Sequence, residues 1–240
     1  MLTGNRIRRY SYGLIATAGL CCLLLFNGLV ACSPGTTGEV NTSTTPRPTP
    51  TKSLAGTVLY QSSWAGGLKV WQATAGWKLA GDYAQTDLGE HRMLTIPYRP
   101  TVANYALEFQ LQVVEVPKDG GYFIVKADPQ SSRDGFQSRI LNLLDTKPHG
   151  YATHPLVETV IDPDMHQQAN VNAQAFDYEP GSQWHTYRVE VSAEQTQFFA
   201  DNVRISRASS AKTATLSNGP LRLDCGKAIL RVKGFEVTAL

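Results

Sequence analysis

Three groups of residues have the types and spacing to do chemistry. Cys32 is the first: its thiol follows Leu29, Val30 and Ala31 at the end of an apolar run that begins at Leu14. A thiol can be alkylated to a thioether, and small neighbours such as Val30 and Ala31 suit a peptidase cleft. The second group is polar without being acidic. Gln110 and Gln112 alternate with Leu107, Phe109 and Leu111, and Gln137 and Arg139 stand two residues apart. On a strand each pair projects to one side, and amides with a guanidinium hydrogen-bond hydroxyls or a carboxylate. An amide cannot exchange a proton near neutral pH, so Gln137 is no general acid or base. The third group is His149, His154, Asp162, Asp164, His166 and Asp177. Imidazoles and carboxylates at this density suit zinc or calcium, but the spacings fit neither: Asp162-Pro163-Asp164 lacks the glycine of a calcium loop. No catalytic residue, metal or cofactor is expected from these sets.

The first group belongs to a segment with a plain layout. Arg6, Arg8 and Arg9 precede the apolar residues 14–30, and small residues close the run. A charged stretch, then an apolar one, then a small-residue site is the arrangement of an export signal. Leu29-Val30-Ala31-Cys32 resembles the lipobox of bacterial lipoproteins. That resemblance implies diacylation of the Cys32 thiol, cleavage before it, and an extracytoplasmic protein tied to the cell membrane by lipid. Two acyl chains hold a protein on a bilayer stably. The competing reading is an uncleaved transmembrane anchor, since about 17 apolar residues reach the short end of the spanning range. Arg8-Arg9 lacks the rest of a twin-arginine signal.

Removing Arg6, Arg8 and Arg9 with the signal leaves 19 basic residues against 20 acidic ones. A formal charge near −1 gives no electrostatic case for nucleic acid. Of the four cysteines, Cys21 and Cys22 leave with the signal and Cys32 is lipidated, so Cys225 stands alone and the domain must hold by packing. Cys225 shares the parity of Leu221 and Leu223, which predicts a small buried residue on a strand. Residues 33–53 are dominated by Ser, Thr and Pro. Such a segment stays extended and disordered, and spans roughly 60 Å. The chain therefore divides into a signal peptide (1–31), an acylated cysteine with its linker (32–54) and a folded domain (55–240).

Within the domain the apolar period is two. Tyr105, Leu107, Phe109, Leu111 and Val113 alternate with polar residues, as do Tyr187, Val189 and Val191. Asp201-Asn202 between two such runs predicts a hairpin turn. Further strands are expected near residues 57–61, 68–72, 93–96, 122–126, 136–141, 195–200, 203–205, 221–225 and 229–240. Residues 144–183 read as a long insertion poor in strand pattern. The expectation is all-β: an antiparallel jelly-roll sandwich of two sheets. Trp77 and Trp184 are expected in the core. Trp64 and Trp71, beside Gly66-Gly67, are expected nearer solvent, where an indole can stack on a sugar ring.

Two stretches carry a family resemblance. One is Trp77-Lys78-Leu79-Ala80-Gly81-Asp82 with Met93-Leu94-Thr95-Ile96-Pro97 and Tyr105-Ala106-Leu107-Glu108-Phe109. The other is Trp184-His185-Thr186-Tyr187-Arg188-Val189, Phe199-Ala200-Asp201-Asn202, Gly219-Pro220-Leu221-Arg222-Leu223 and Val232-Lys233-Gly234-Phe235-Glu236-Val237. Together they resemble concanavalin-A-like jelly rolls, in particular laminin-G-like and keto-disaccharide-hydrolase-like domains. The hydrolase-like pattern Gly-Tyr-Glu-x-Gln-x-x-Asp is replaced here by Gly135-Phe136-Gln137-Ser138-Arg139-Ile140-Leu141-Asn142. The acids are gone, and no closely set carboxylate pair of a retaining glycosidase is visible. With the polar faces and indoles above, the expectation is a domain that binds a polysaccharide or cell-wall glycan without cleaving it, with Gln110, Gln112, Gln137, Arg139 and Trp71 as ligand-binding residues. A structural or protein-interaction domain is the alternative, and a carbohydrate hydrolase a more distant one.

Replacing Cys32 by Ser is expected to leave an unprocessed precursor that takes up no labelled fatty acid; label retained in Cys32→Ser would remove the lipid anchor.

Overall fold

The structure, a computed structural model, describes residues 55–117, 120–143, 155–161, 174–175, 180–193, 195–209 and 215–240. Cys32, the linker, and His149, His154, Asp162, Asp164, His166 and Asp177 lie outside the described residues.

The described residues form β1 (Val58–Gln61), the helical turn α1 (Gly67–Val70), β2 (Lys78–Ala80), β3 (Tyr83–Gln85), β4 (Arg92–Thr95), β5 (Tyr105–Glu115) and β6 (Tyr122–Ala127). Next come β7 (Arg133–Asp134), β8 (Phe136–Leu141), β9 (Leu156–Ile161), β10 (Gln174–Ala175) and β11 (Trp184–Ser192). The chain ends with β12 (Gln195–Ala200), β13 (Val203–Ser209), β14 (Thr215–Leu216), β15 (Leu221–Gly226) and β16 (Ile229–Ala239). One sheet runs β13-β12-β11-β5-β16-β3-β2, with β1 also on β16, and the other runs β10-β9-β8-β6-β15-β4. Every pairing within these two sheets is antiparallel. The fold is an antiparallel β-sandwich of the jelly-roll type.

Alternation builds the core. Phe109 and Leu111 of β5 and Tyr187 and Val189 of β11 point inward from the larger sheet, and Phe123, Val125, Ile140, Leu223 and Cys225 point inward from the smaller one. The Tyr187 ring meets Phe123 edge-on at 4.9 Å and lies 5.8 Å from Phe109, joining the two layers. Each such side chain contributes about 1.5–3 kcal/mol by leaving water. Cys225 is fully buried, and desolvation pushes its thiol well above the ordinary range. Asp201 and Asn202 adopt φ of 48° and 66°, the left-handed pair that a tight hairpin between β12 and β13 requires. The Asp201 carboxylate also accepts the Thr186 N–H at 2.9 Å, tying that turn to β11.

The parity of β16 changes midway. Leu230 and Val232 face inward, then Phe235, Val237 and Ala239 do. Gly234, at φ 66°, sits where the register with β5 slips between Lys233 and Glu236. A bulge at this glycine turns Phe235 into the core, where a strict two-residue period would send Glu236 and Thr238.

Four expectations are corrected. Residues 68–72 are not a strand: α1 leads into Trp71, which is fully buried and therefore no exposed stacking platform. Its indole stacks on Trp64 at 4.4 Å and lies 5.0 Å from Phe235, closing one end of the core. Trp77 is buried as expected, but Trp184 is half-buried on the outer face of the larger sheet. The insertion at 144–183 contains β9, paired along its whole length with β8. Five of its six residues are buried, so both faces are covered and Leu-Val-Glu-Thr-Val-Ile shows no alternation to read.

Truncating Trp71 to Ala is expected to cost about 3–5 kcal/mol, measured as a lower urea midpoint; a loss below about 1 kcal/mol would mean that the indole does not anchor the core.

Candidate functional site

The residues singled out in the sequence do point away from the core, but on opposite sides of the molecule. Gln110 and Gln112 lie on β5 in the larger sheet, Gln137 and Arg139 on β8 in the smaller one. A groove lined by all four is therefore excluded. The two-residue period fixes which side of its own strand a residue takes, and says nothing about which sheet that strand joins.

Each pair is also engaged by its own neighbours. Gln112 donates to the Ser182 carbonyl at 2.8 Å and accepts from Arg231 at 3.4 Å. Beside it, Tyr83 and Trp184 meet edge-on at 6.2 Å, with Arg231 over the Tyr83 ring at 5.0 Å and Lys233 over the Trp184 ring at 4.5 Å. On the smaller sheet Arg139 grips Glu158 through Nε at 2.7 Å and through a second, shorter contact, and touches Gln137 Oε1 at 3.4 Å. Glu158 sits directly across from Arg139 on β9. The guanidinium offered to a ligand by the sequence is thus held by a buried carboxylate that the sequence could not place.

A pocket of about 410 Å³ opens at one end of the smaller sheet's outer face. Cross-strand register explains its floor. Asp224 of β15 faces Ile124 of β6, Gly226 faces Tyr122, and Tyr122 faces Leu141 of β8. Tyr122 and Ile124 alternate with buried Phe123 and Val125, which puts them on this face. Gly226 has no side chain, and a Cβ there would lie 2.5 Å from the Tyr122 ring. The absent Cβ lets the phenol lie down across the neighbouring strand. Gly121 is required in the same way: its Cβ would stand 2.7 Å from the Lys227 carbonyl.

Loops supply the walls. Seven non-glycine residues among those described have positive φ, and three of them line this pocket: His91 (52°), Asn142 (56°) and Lys227 (51°). Left-handed backbone is uncommon outside glycine and asparagine and gathers at ligand sites. The His91 N–H donates to the Tyr122 hydroxyl at 3.3 Å, and His91 Nδ1 lies 3.3 Å from the same oxygen. Burial pushes the Tyr122 phenol above its ordinary range, so it stays neutral. Lys227 pairs with Glu90 at 3.2 Å across the rim.

Asp224 is the least accessible side chain of the site, at 5% exposure. Its Oδ2 accepts from Lys126 at 3.2 Å and lies 3.8 Å from His91 Nδ1. Its Oδ1 is buried and has no hydrogen-bond partner among the described residues. A buried acceptor left so costs about 1–3 kcal/mol, and such atoms in native proteins call for a physical reason.

The sequence pattern includes Asn142 in the stretch compared with the hydrolase-like domains, and the parity of Leu221, Leu223 and Cys225 leaves Asp224 on the opposite side of its strand, yet neither residue was assigned a role. Tyr122, Glu90, His91 and Lys227 went unmarked. The available signal was Tyr122-x-Ile124-x-Lys126 facing away from Phe123 and Val125; the pairing of β6 with β15, nearly a hundred residues apart, was not visible.

No protein-family model matches this chain, and no curated protein matches it either. Solved structures do. A protein of unknown function with a galectin-like fold from Bacillus subtilis aligns at 12% identity over 77% of this chain and 97% of its own, with a TM-score of 0.56. A structure titled for endo-acting O-glycanases by which human gut bacteria initiate mucin breakdown aligns at 10% identity over 76% and 99%, with a TM-score of 0.53. The carbohydrate-binding module CBM66 of Bacillus subtilis aligns at 11% over 70% and 94%, with a TM-score of 0.49. At these identities the likeness is one of fold.

The loop bearing Glu90 and His91 is pinned by Asp87, which accepts from Arg92 Nε at 2.5 Å and from the Gly89 N–H at 2.9 Å. The Arg92 guanidinium holds the Asp87 carboxyl below the usual range, and Gly89 adds to it. A lowered folded pKa stabilises above the unfolded value, about 3.9, and the benefit is lost as pH falls through the folded value. Asp87→Asn is therefore expected to lower stability at neutral pH by on the order of 0.5–1 kcal/mol, the pair being half exposed. That difference should vanish in acid; an unchanged gap between wild type and Asp87→Asn at pH 2–3 in thermal melts would contradict it.

Proposed function

We propose that this protein is an extracytoplasmic, lipid-anchored glycan-binding protein whose β-sandwich holds a saccharide in the pocket beside Tyr122 and does not cleave it. The pocket carries the reading. An aromatic ring with Ile124 and Leu141 offers apolar area for the C–H face of a sugar. Asn142, Asp224, His91 and Glu90 ring it with hydrogen-bonding groups. Its volume is that of a small-molecule site, mostly apolar with a few placed polar groups. The O-glycanase structure of the same fold is consistent with a setting of carbohydrate recognition. The signal layout and Cys32 support a place on the outer side of a membrane, and the Pro-rich linker would hold the domain off it. The absence of the hydrolase-like acids at Gln137 and Asn142 supports binding over cleavage.

A second reading, a structural or protein-interaction domain, draws on the rest of the same face. There Arg139 pairs with Glu158 and Arg222 with Asp128, so that the sheet satisfies its own charges away from the pocket.

The deciding experiment is a glycan array with the wild type and Gly226→Ala. The atoms nearest the added methyl are at the outer end of the Tyr122 side chain, so the fold is expected to survive with its melting temperature lowered by about 2–4 °C, while the displaced ring fills the site and binding falls at least about tenfold. Full binding by Gly226→Ala would place the ligand elsewhere. Wild type that binds no glycan would favour the second reading, and release of reducing sugar would make the protein a hydrolase.

A further inference from the structure

We infer that the pocket discriminates by charge: it takes neutral sugar units, whose hydroxyls donate to the Asp224 carboxylate, and rejects uronic and other acidic sugars. The inference rests on the glycan-binding reading of the same pocket and adds the class of sugar. Asp224 is nine-tenths buried, lines the pocket, and has an Oδ1 without a partner among the described residues. An ionised carboxylate only accepts, so what complements it must donate. A sugar hydroxyl does; a ligand carboxylate does not, and it would be repelled.

The surroundings reinforce this. Glu90 puts a second carboxylate on the rim. The cations that would welcome an acidic sugar already face acids of the protein: Lys126 is 3.2 Å from Asp224, Lys227 is 3.2 Å from Glu90, and Arg139 is clasped by Glu158. His91 turns Nδ1 toward Tyr122 and Asp224. Recognition by exclusion works this way: like charge set against the wrong ligand adds to the contacts that favour the right one.

Matched pairs test it. The methyl glycosides of glucose, galactose and mannose differ from those of glucuronate, galacturonate and mannuronate only at C6. Calorimetric titration of the full-length protein in a neutral detergent should show at least one neutral glycoside binding, and its uronate at least about tenfold more weakly. Asp224→Asn, which keeps the shape and removes the charge, should narrow that ratio to about threefold or less. Glu90→Gln, on the exposed rim, should narrow it by about threefold with the fold undisturbed, and it carries the test should Asp224→Asn not fold. A uronate that binds as tightly as its neutral partner overturns the inference, as does a ratio that neither substitution moves. These outcomes leave glycan binding standing. If no neutral or acidic sugar binds, the glycan-binding reading itself falls and the inference with it.

Discussion

The pairing of β5 with β16 is the constraint on which the rest of the sandwich depends. It runs from Glu115 against Ile229 to Tyr105 against Ala239. The opposite edge of β16 takes β3 through Arg231 and Val232, and β1 through Glu236, Val237 and Thr238. One strand at the end of the sequence therefore locks the earliest strands of the domain in place. The bulge at Gly234 sends Phe235 inward, where Phe109, Trp71 and Trp64 pack against it. These contacts join residues far apart in sequence, so little of the larger sheet can form before long loops have closed.

The pocket inherits its shape from that strand. A buried Thr86 hydroxyl donates to the Ala228 carbonyl at 2.8 Å and accepts the Leu230 N–H at 2.9 Å, fixing the start of β16 and the turn from β15. Lys227 belongs to that turn, Gly226 to the end of β15, and Gly121 packs against Ala228. Tyr122 lies flat because Gly226 leaves room for its ring, while Gly121 lets the backbone approach the Lys227 carbonyl. The same geometry that closes the sandwich thus places the phenol, the Asp224 carboxylate and the left-handed His91, Asn142 and Lys227 around one opening. Strain held at three loop residues is sustainable there because the sheet beneath is satisfied by packing.

Alternation made the main strands readable. The β5, β6, β8 and β11 segments are half-covered, so their side chains record the two sides in sequence, and β15 alternates in residue type although five of its six residues are buried. It failed where that condition failed. Residues 156–161 are buried on both faces and carry no period, and the three exposed residues of β2 are too few to show one. The Trp71 error has the same root: a single turn of helix before a core residue has no repeat to detect. The candidate site was legible only strand by strand. Gln110, Gln112, Gln137 and Arg139 were assigned to the correct side of their own strands, but neighbours across strands are set by topology. Glu158 opposite Arg139, Arg231 opposite Gln112 and Gly226 opposite Tyr122 decide which of these side chains remain available, and none is local in sequence.

The balance of charges bears on how such a protein would work. With 19 basic and 20 acidic residues beyond residue 32, and several of them paired with one another, the chain has little field with which to draw a ligand in. Affinity for a neutral sugar must come from ring stacking and a few hydrogen bonds in a pocket of one small-molecule volume, which limits a single contact to modest strength. Under the proposed lipid anchor that limit is less severe. Many copies on one surface, each on a linker of roughly 60 Å, would engage a repeating polymer at high effective concentration, and avidity then exceeds what any one pocket supplies. The length of such a tether would serve this directly, since the second contact forms only when it can span the distance between neighbouring sugars. Weak pockets also release quickly, which lets such a surface rearrange along a glycan instead of being fixed to it.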